Sequence, residues 1–219
     1  MCECWGELSC QHDGVQDWIH LAMLRTIYRQ LTSTTLDCPR YGSHWEEIGF
    51  QGSDPSTDLR GVGILGLVQA VYLVTTPEIL PFTQDLYRLS RQEGQEFPLL
   101  VLSLNMTRIT VQLVRDGGLN KLLALEEELW TTANFFYAAL LYQIYHQWKH
   151  RHLTIRDCGP LIQQTEQTAR TRPGALVAQF EKFLTSQYSV ASKQAAREQI
   201  LKYSSSTVTS SHLQSASLQ

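Results

Sequence analysis

Residues 129–148 read LWTTANFFYAALLYQIYHQW, twenty positions without a single Asp, Glu, Lys or Arg. A membrane span wants roughly 20 predominantly apolar residues. Here Thr131, Thr132, Asn134, Gln143, His146 and Gln147 interrupt the run. The stretch therefore reads as a helix that is apolar nearly all round and buried inside a protein core. With its flanks it predicts one long helix from Leu122 to about His150, at the centre of the fold. A second charge-free run, Gly61 to Pro77, holds three glycines and a glutamine and reads the same way.

Working outward from that centre, the remaining patterns are helical too. Trp18, Leu21, Leu24, Tyr28 and Leu31 recur in steps of three and four and predict an amphipathic helix from Asp17. Thr57 and Asp58 can cap a helix running through Leu73, with Gly61, Gly63 and Gly66 in its first turns. Glycine there costs about 1 kcal/mol each against alanine, so close approach of another backbone is expected as compensation. Pro77 ends that helix, and Pro81 suits the first turn of the next, which runs to about Gln92. Phe97 to Arg115 continues the series, with Leu100, Leu104 and Val111 inward. Asp116-Gly117-Gly118 stops it. Further helices are expected from Thr154 to about Thr171, from Pro173 with Leu176, Phe180 and Leu184 on one face, and from Ser192 to Lys202.

No alternating run flanks an Asn-Gly or Asp-Gly turn, so no hairpin is expected. The fold class is all-α, a single compact domain of about seven or eight helices. A long loop, residues 32–57, precedes the Gly61–Gly66 segment and is punctuated by Pro39, Gly42, Gly49, Gly52 and Pro55. Its Trp45 and Phe50 should pin part of it to the core. The expected organisation is a polar lead (1–16), the main domain (17–188), a C-terminal helix (189–202) and a Ser/Thr-rich tail (203–219).

Composition narrows the function. The chain has 219 residues, 43% of them hydrophobic and 18% charged, with 18 basic and 21 acidic side chains and a net charge of −3. That is enough apolar content for a sizeable core and too little charge to suggest a nucleic-acid partner. Five cysteines, at positions 2, 4, 10, 38 and 158, form no C-x-x-C pair. Free thiols in a reducing compartment are expected rather than a disulfide framework. Glu3, Glu7 and Asp13 near the start argue against a secretory leader. No P-loop, G-x-S-x-G or H-E-x-x-H occurs, so the chain does not read as a nucleotide- or metal-hydrolysing enzyme in its own right. His146, His150 and His152 lack the carboxylate support of a full ligand set.

One stretch is specific. Residues 45–67 read WEEIGFQGSDPSTDLRGVGILGL. Four glycines between positions 49 and 63 surround an aromatic, a glutamine, an aspartate and one arginine. Tight turns presenting a few polar side chains suit a binding site better than a core. The stretch resembles the ELMO domain family, whose pattern W-x-x-x-G-F-Q-G-x-x-P-x-T-D-F-R-G-x-G-x-L is matched at Trp45, Gly49, Phe50, Gln51, Gly52, Pro55, Thr57, Asp58, Arg60, Gly61, Gly63 and Leu65. Leu59 stands where the family usually has Phe, which keeps an apolar anchor. Phe97 to Thr107 resembles the family's second block.

The resemblance implies a role in small-GTPase regulation. Engulfment-type members are scaffolds beside a guanine-nucleotide exchange factor for Rac. The shorter ELMOD branch activates GTP hydrolysis by Arf and Arf-like GTPases, and the arginine of T-D-F-R-G marks that branch. Arg60 occupies this position. The chain is thus expected to be a GTPase-activating protein, a regulator without an independent active site. Arg60 is the expected catalytic finger, with Gln51 a second candidate that could orient the attacking water. Trp45, Phe50 and Asp58 are candidate partner-binding residues, Trp45 and Phe50 reading first as core anchors. Gly49, Gly52, Pro55, Gly61 and Gly63 shape the loop. No cofactor or metal of its own is expected, since GTP and magnesium belong to the partner. The implied location is cytoplasmic, with cytoskeletal or peripheral membrane association through partners and no transmembrane segment. Three alternatives stand beside this reading, one of them a metal-dependent enzyme built on the histidines. Arg60 could instead pair with Asp58, Asp54 or Glu47 to hold the loop, and the domain could be a non-catalytic adaptor.

Overall fold

The computed structural model describes residues 14–123 and 128–187. Among these residues every regular element is helical. In chain order they are α1 (Gly14–Thr32), α2 (His44–Glu47), α3 (Ile64–Thr75), α4 (Leu80–Ser90), α5 (Leu99–Arg115), α6 (Asn120–Leu123), α7 (Leu129–Arg151) and α8 (Cys158–Thr171). Three short 3₁₀ turns, Pro55–Thr57, Leu59–Gly61 and Ile155–Asp157, lie between them. One compact unit ends at Phe180 and includes helical residues 173–180. A second unit is Glu181–Gln219, of which residues 181–187 are helical. The expected helix over 189–202 and the tail lie outside the described residues.

The charge-free run forms the axis. Phe136, Tyr137, Ala138, Ala139, Leu140, Leu141, Ile144 and Trp148 of α7 are all fully buried, at 0% exposure. Helices α3, α4, α5, α6 and α8 pack against α7, and α1 packs against α3 and α4. A helix enclosed this way needs no polar face, which is why the run tolerates so little charge. Three of its buried polar residues pair across the core. Gln69 Nε2 donates to Asn134 Oδ1 at 3.3 Å. The Trp148 indole donates to the Gln95 carbonyl at 2.9 Å. Ser103 and Tyr137 share a hydrogen bond, and burial holds the Tyr137 phenol above its ordinary pKa.

Four expectations are corrected. Trp18 is 68% exposed, and the buried stripe of α1 is Leu24, Ile27 and Leu31. The helix expected from Asp58 begins only at Ile64. Gly63 precedes it with φ +61° and ψ −152°, a conformation outside the helical region. The single helix expected from Leu122 is two, α6 and α7, on either side of residues 124–127. The long loop carries a helical turn of its own, α2, which seats Trp45. Among the described residues no single helix is long and apolar enough to cross a membrane.

Candidate functional site

The loop between α1 and α3 is built around buried anchors. Trp45 is 0% exposed, Phe50 3%, and Ile48, Pro55 and Leu59 are buried as well. Trp45 meets Tyr28 and Phe50 edge to face, with ring centroids 5.8 and 6.3 Å away. Its indole donates to the Arg40 carbonyl at 3.0 Å. The structure thus gives Trp45 and Phe50 a packing role, and Leu59 supplies the apolar anchor its position calls for.

Gly49 brings this loop onto α5. Its φ is +92°, and a Cβ there would lie 2.2 Å from the amide nitrogen of Leu99. Side by side with it, the carbonyls of Ile48 and Gly49 accept the amides of Leu100 and Val101 at 3.3 and 3.1 Å. The first amides of any helix lack intrahelical partners, and here the loop satisfies two of them. Capping by backbone carbonyls needs this approach, and only glycine permits it.

Polar side chains lock the rest of the loop. Asp54, not Asp58, is the capping residue: its carboxylate accepts the Ser56 amide at 3.0 Å and the Ser56 hydroxyl at 2.6 Å. It also pairs with the Arg40 guanidinium at 2.9 Å. Burial would push the Asp54 pKa up, but the Ser56 hydrogen bonds and Arg40 outweigh it and hold the carboxyl below its usual range. Asp58 accepts the Gln51 amide at 2.7 Å, which ties the G-F-Q-G turn to the residue before the Leu59–Gly61 turn. Burial raises the Asp58 pKa, with the Gln51 amide opposing it. Glu47 accepts the Tyr28 hydroxyl at 2.8 Å, and burial together with that bond pushes the phenol up to about 12.

These bonds decide the state of Arg60. Asp54 is held by Arg40 and Ser56, Asp58 by Gln51, and Glu47 by Tyr28. Arg60 sits in the Leu59–Gly61 turn, exposed, and has no ion pair or hydrogen bond to any described residue. Gln51 is exposed as well, with its backbone fixed by Asp58.

Arg60 borders a groove of about 760 Å³. Val62 and Ile64 continue one wall, and Arg108, Val111 and Arg115 of α5 form another. Arg108 and Arg115 were missed in the sequence. They look like ordinary helix-face cations, and nothing in linear spacing links them to Arg60. Gln51 does not line this groove. A smaller hollow of about 390 Å³ lies elsewhere, beside Phe50, Glu46 and Glu47. His146 and His150 stack with centroids 4.2 Å apart, and among the described residues no group of three metal-ligating side chains gathers.

The ELMO/CED-12 family profile matches residues 14–162, from the start of α1 into α8. The chain belongs to the ELMO/CED-12 family. The match takes in the whole loop and the α5 wall of the groove. The chain is 38% identical to human ELMO domain-containing protein 3 over 169 residues, which is 77% of this chain and 44% of that protein. It is 31% identical to human ELMO domain-containing protein 2 over 135 residues, 59% of this chain and 44% of the relative. ELMO domain-containing protein B of Dictyostelium discoideum is 29% identical over 97 residues, 43% of this chain and 32% of the relative. The chain thus spans under half the length of these curated relatives. No solved structure matches it.

Proposed function

We propose that this ELMO domain activates GTP hydrolysis by an Arf or Arf-like small GTPase, with Arg60 entering the partner's nucleotide site. The observation that carries the reading is the freedom of Arg60. It stands exposed on a braced turn while Asp54, Asp58 and Glu47 are each engaged elsewhere. A guanidinium left unpaired on a fixed turn suits a group that must meet phosphate oxygens rather than hold its own loop.

The chemistry is that of phosphoryl transfer. As water attacks the γ-phosphoryl group, negative charge is distributed over its oxygens and the leaving oxygen. A guanidinium inserted by a partner protein stabilises that charge and is worth about 10³ to 10⁵ in rate. Arg60 has no ion pair or hydrogen bond to a described residue to give up before it serves. Gln51 lies on the same braced loop, and its side-chain amide could orient the attacking water. The partner contributes the GTP and the magnesium.

The test is single-turnover hydrolysis by a panel of GTP-loaded Arf and Arf-like GTPases at saturating ELMO domain. Arg60→Lys should fold and bind but stimulate hydrolysis at least about 100-fold less, because lysine lacks the planar fork that bridges two phosphate oxygens in fixed geometry. Stimulation within a few-fold of the parent protein would overturn the assignment.

A further inference from the structure

The groove beside Arg60 has a charge balance that a catalytic finger alone leaves unexplained. Arg108 pairs with Glu166 at 2.9 Å, Glu166 with Arg170 at 3.0 Å, and Arg170 with Asp116 at 3.1 Å. This chain of four ties α5 to α8 and neutralises itself. Arg108 and Arg170 hold the Glu166 carboxyl below its usual range, as such a network should. Arg115, in the last turn of α5, takes no part. It is exposed, lines the groove, and has no ion pair or hydrogen bond to any described residue. Two positive charges therefore remain open on the groove, Arg60 from the 3₁₀ turn and Arg115 from α5.

Between them, Gln112 and Asp116 line the α5 side, Asp116 already paired with Arg170, and an apolar stretch runs beside them. Val62, Ile64, Leu65 and Val111 line it and are half-buried. These side chains offer nothing to a phosphate. They fit a protein segment, and a volume of about 760 Å³ exceeds what one phosphoryl group needs. An occupant that meets both the apolar lining and the unpaired Arg115 is a peptide segment carrying a carboxylate.

We propose that Arg115 is a recognition residue that pairs with an acidic side chain of the GTPase next to its nucleotide pocket, in the same docked pose that delivers Arg60 to GTP. This rests on the proposed function above and adds the charge and place of the second contact. Arg115 touches no reacting atom. It acts on encounter and affinity, and Arg60 acts on rate.

The two roles separate in one set of measurements, made with the GTPase that the panel identifies. Arg115→Ala should raise the ELMO-domain concentration giving half-maximal stimulation by about tenfold, the scale of losing one charged interfacial contact. The saturating single-turnover rate should stay within about twofold. Arg115→Glu should bind more weakly still, and Arg115→Lys should recover most of the affinity. Raising salt should weaken binding of the parent protein more steeply than binding of Arg115→Ala. The affinity loss should be equal whether the GTPase carries GDP or a non-hydrolysable GTP analogue, because a protein carboxylate is present in both. Circular dichroism should be unchanged in all three variants.

Three results overturn the inference while leaving the proposed function intact. They are half-saturation unchanged in Arg115→Ala, a collapse of the saturating rate, and an affinity loss confined to the GTP-analogue form. The last two would place Arg115 on the phosphates. If no panel member binds the parent domain, the proposed function and this inference fall together.

Discussion

Gly49 lies so close to Leu99 that a β-carbon on the glycine would be 2.2 Å from the leucine amide nitrogen. The Arg60 loop is thereby fastened to α5, the helix that carries Arg115. The junction lies at the first turn of α5, and Arg115 stands in its last turn.

Gly49→Ala should accordingly be among the most damaging small substitutions in the protein. The new methyl meets backbone atoms of Pro98, Leu99 and Leu100, which cannot rotate away, and the φ of +92° is unfavourable to any L side chain. Displacing the loop would also strip two capped amides from α5. We expect a loss of about 3 kcal/mol or more, in the range of backbone strain added to unsatisfied amides. A denaturant melt measures it, and a loss below about 1 kcal/mol would contradict the geometry.

Gly61 and Gly63 should respond with opposite signs. Gly61 has no atom within 4 Å of a built Cβ and its φ is not positive. Gly61→Ala should be neutral or stabilising, by up to about 1 kcal/mol, through a less flexible unfolded chain. Gly63 adopts φ +61° and ψ −152°, a region kept essentially for glycine. Gly63→Ala should cost about 1 to 3 kcal/mol. Thermal or denaturant melts of the two variants side by side decide the matter. Equal shifts would mean that α3 begins before Ile64.

Asp58 separates charge from shape. Its carboxylate accepts the Gln51 amide, yet burial raises its pKa, so the charge itself costs stability. An asparagine keeps an acceptor oxygen and drops the charge. Asp58→Asn should therefore stay within about 0.5 kcal/mol of the parent at pH 7, whereas Asp58→Ala should lose about 1 to 3 kcal/mol by orphaning the amide. The sign with pH follows from the raised pKa. The folded state binds its proton more readily than the unfolded state, so the cost of the charge is relieved as pH falls through the folded value. Melts of the parent and Asp58→Asn across pH 4 to 7 should converge toward the acid end.

The Arg40–Asp54 pair should show the reverse pH dependence. The Asp54 pKa is lowered in the folded protein, so its contribution is complete above the unfolded carboxylate range and is lost as pH falls through the folded value. Both side chains are partly exposed, so water screens the pair and its worth is about 1 kcal/mol or less. Arg40→Met should lower the midpoint slightly at pH 7 and have progressively less effect below about pH 4. A deficit that persists unchanged in acid would point to lost packing of the arginine stem rather than to the pair.

Helical class, the central position of residues 129–148 and the odd loop at 45–63 were all legible along the chain. Each depends on local composition or a period of 3.6, which neighbouring residues express together. The family resemblance was legible for the same reason, because a dozen matched positions crowd into one short segment. Tertiary structure alone decided the rest. Asp58 and Asp54 are both suitable caps by type, and which one caps depended on where Arg40, Ser56 and Gln51 come to lie. Gly49 and Gly63 are indistinguishable as letters, yet one yields to a neighbouring helix and the other to its own backbone angles. Arg60 has three carboxylates nearby in sequence and pairs with none of them, since each finds another partner in space. An ion pair is a competition among all groups within reach, and the chain brings distant residues within reach only when it folds. Arg115 reaches the groove of Arg60 in that same way, because α5 packs along α3, whose first residues border the groove.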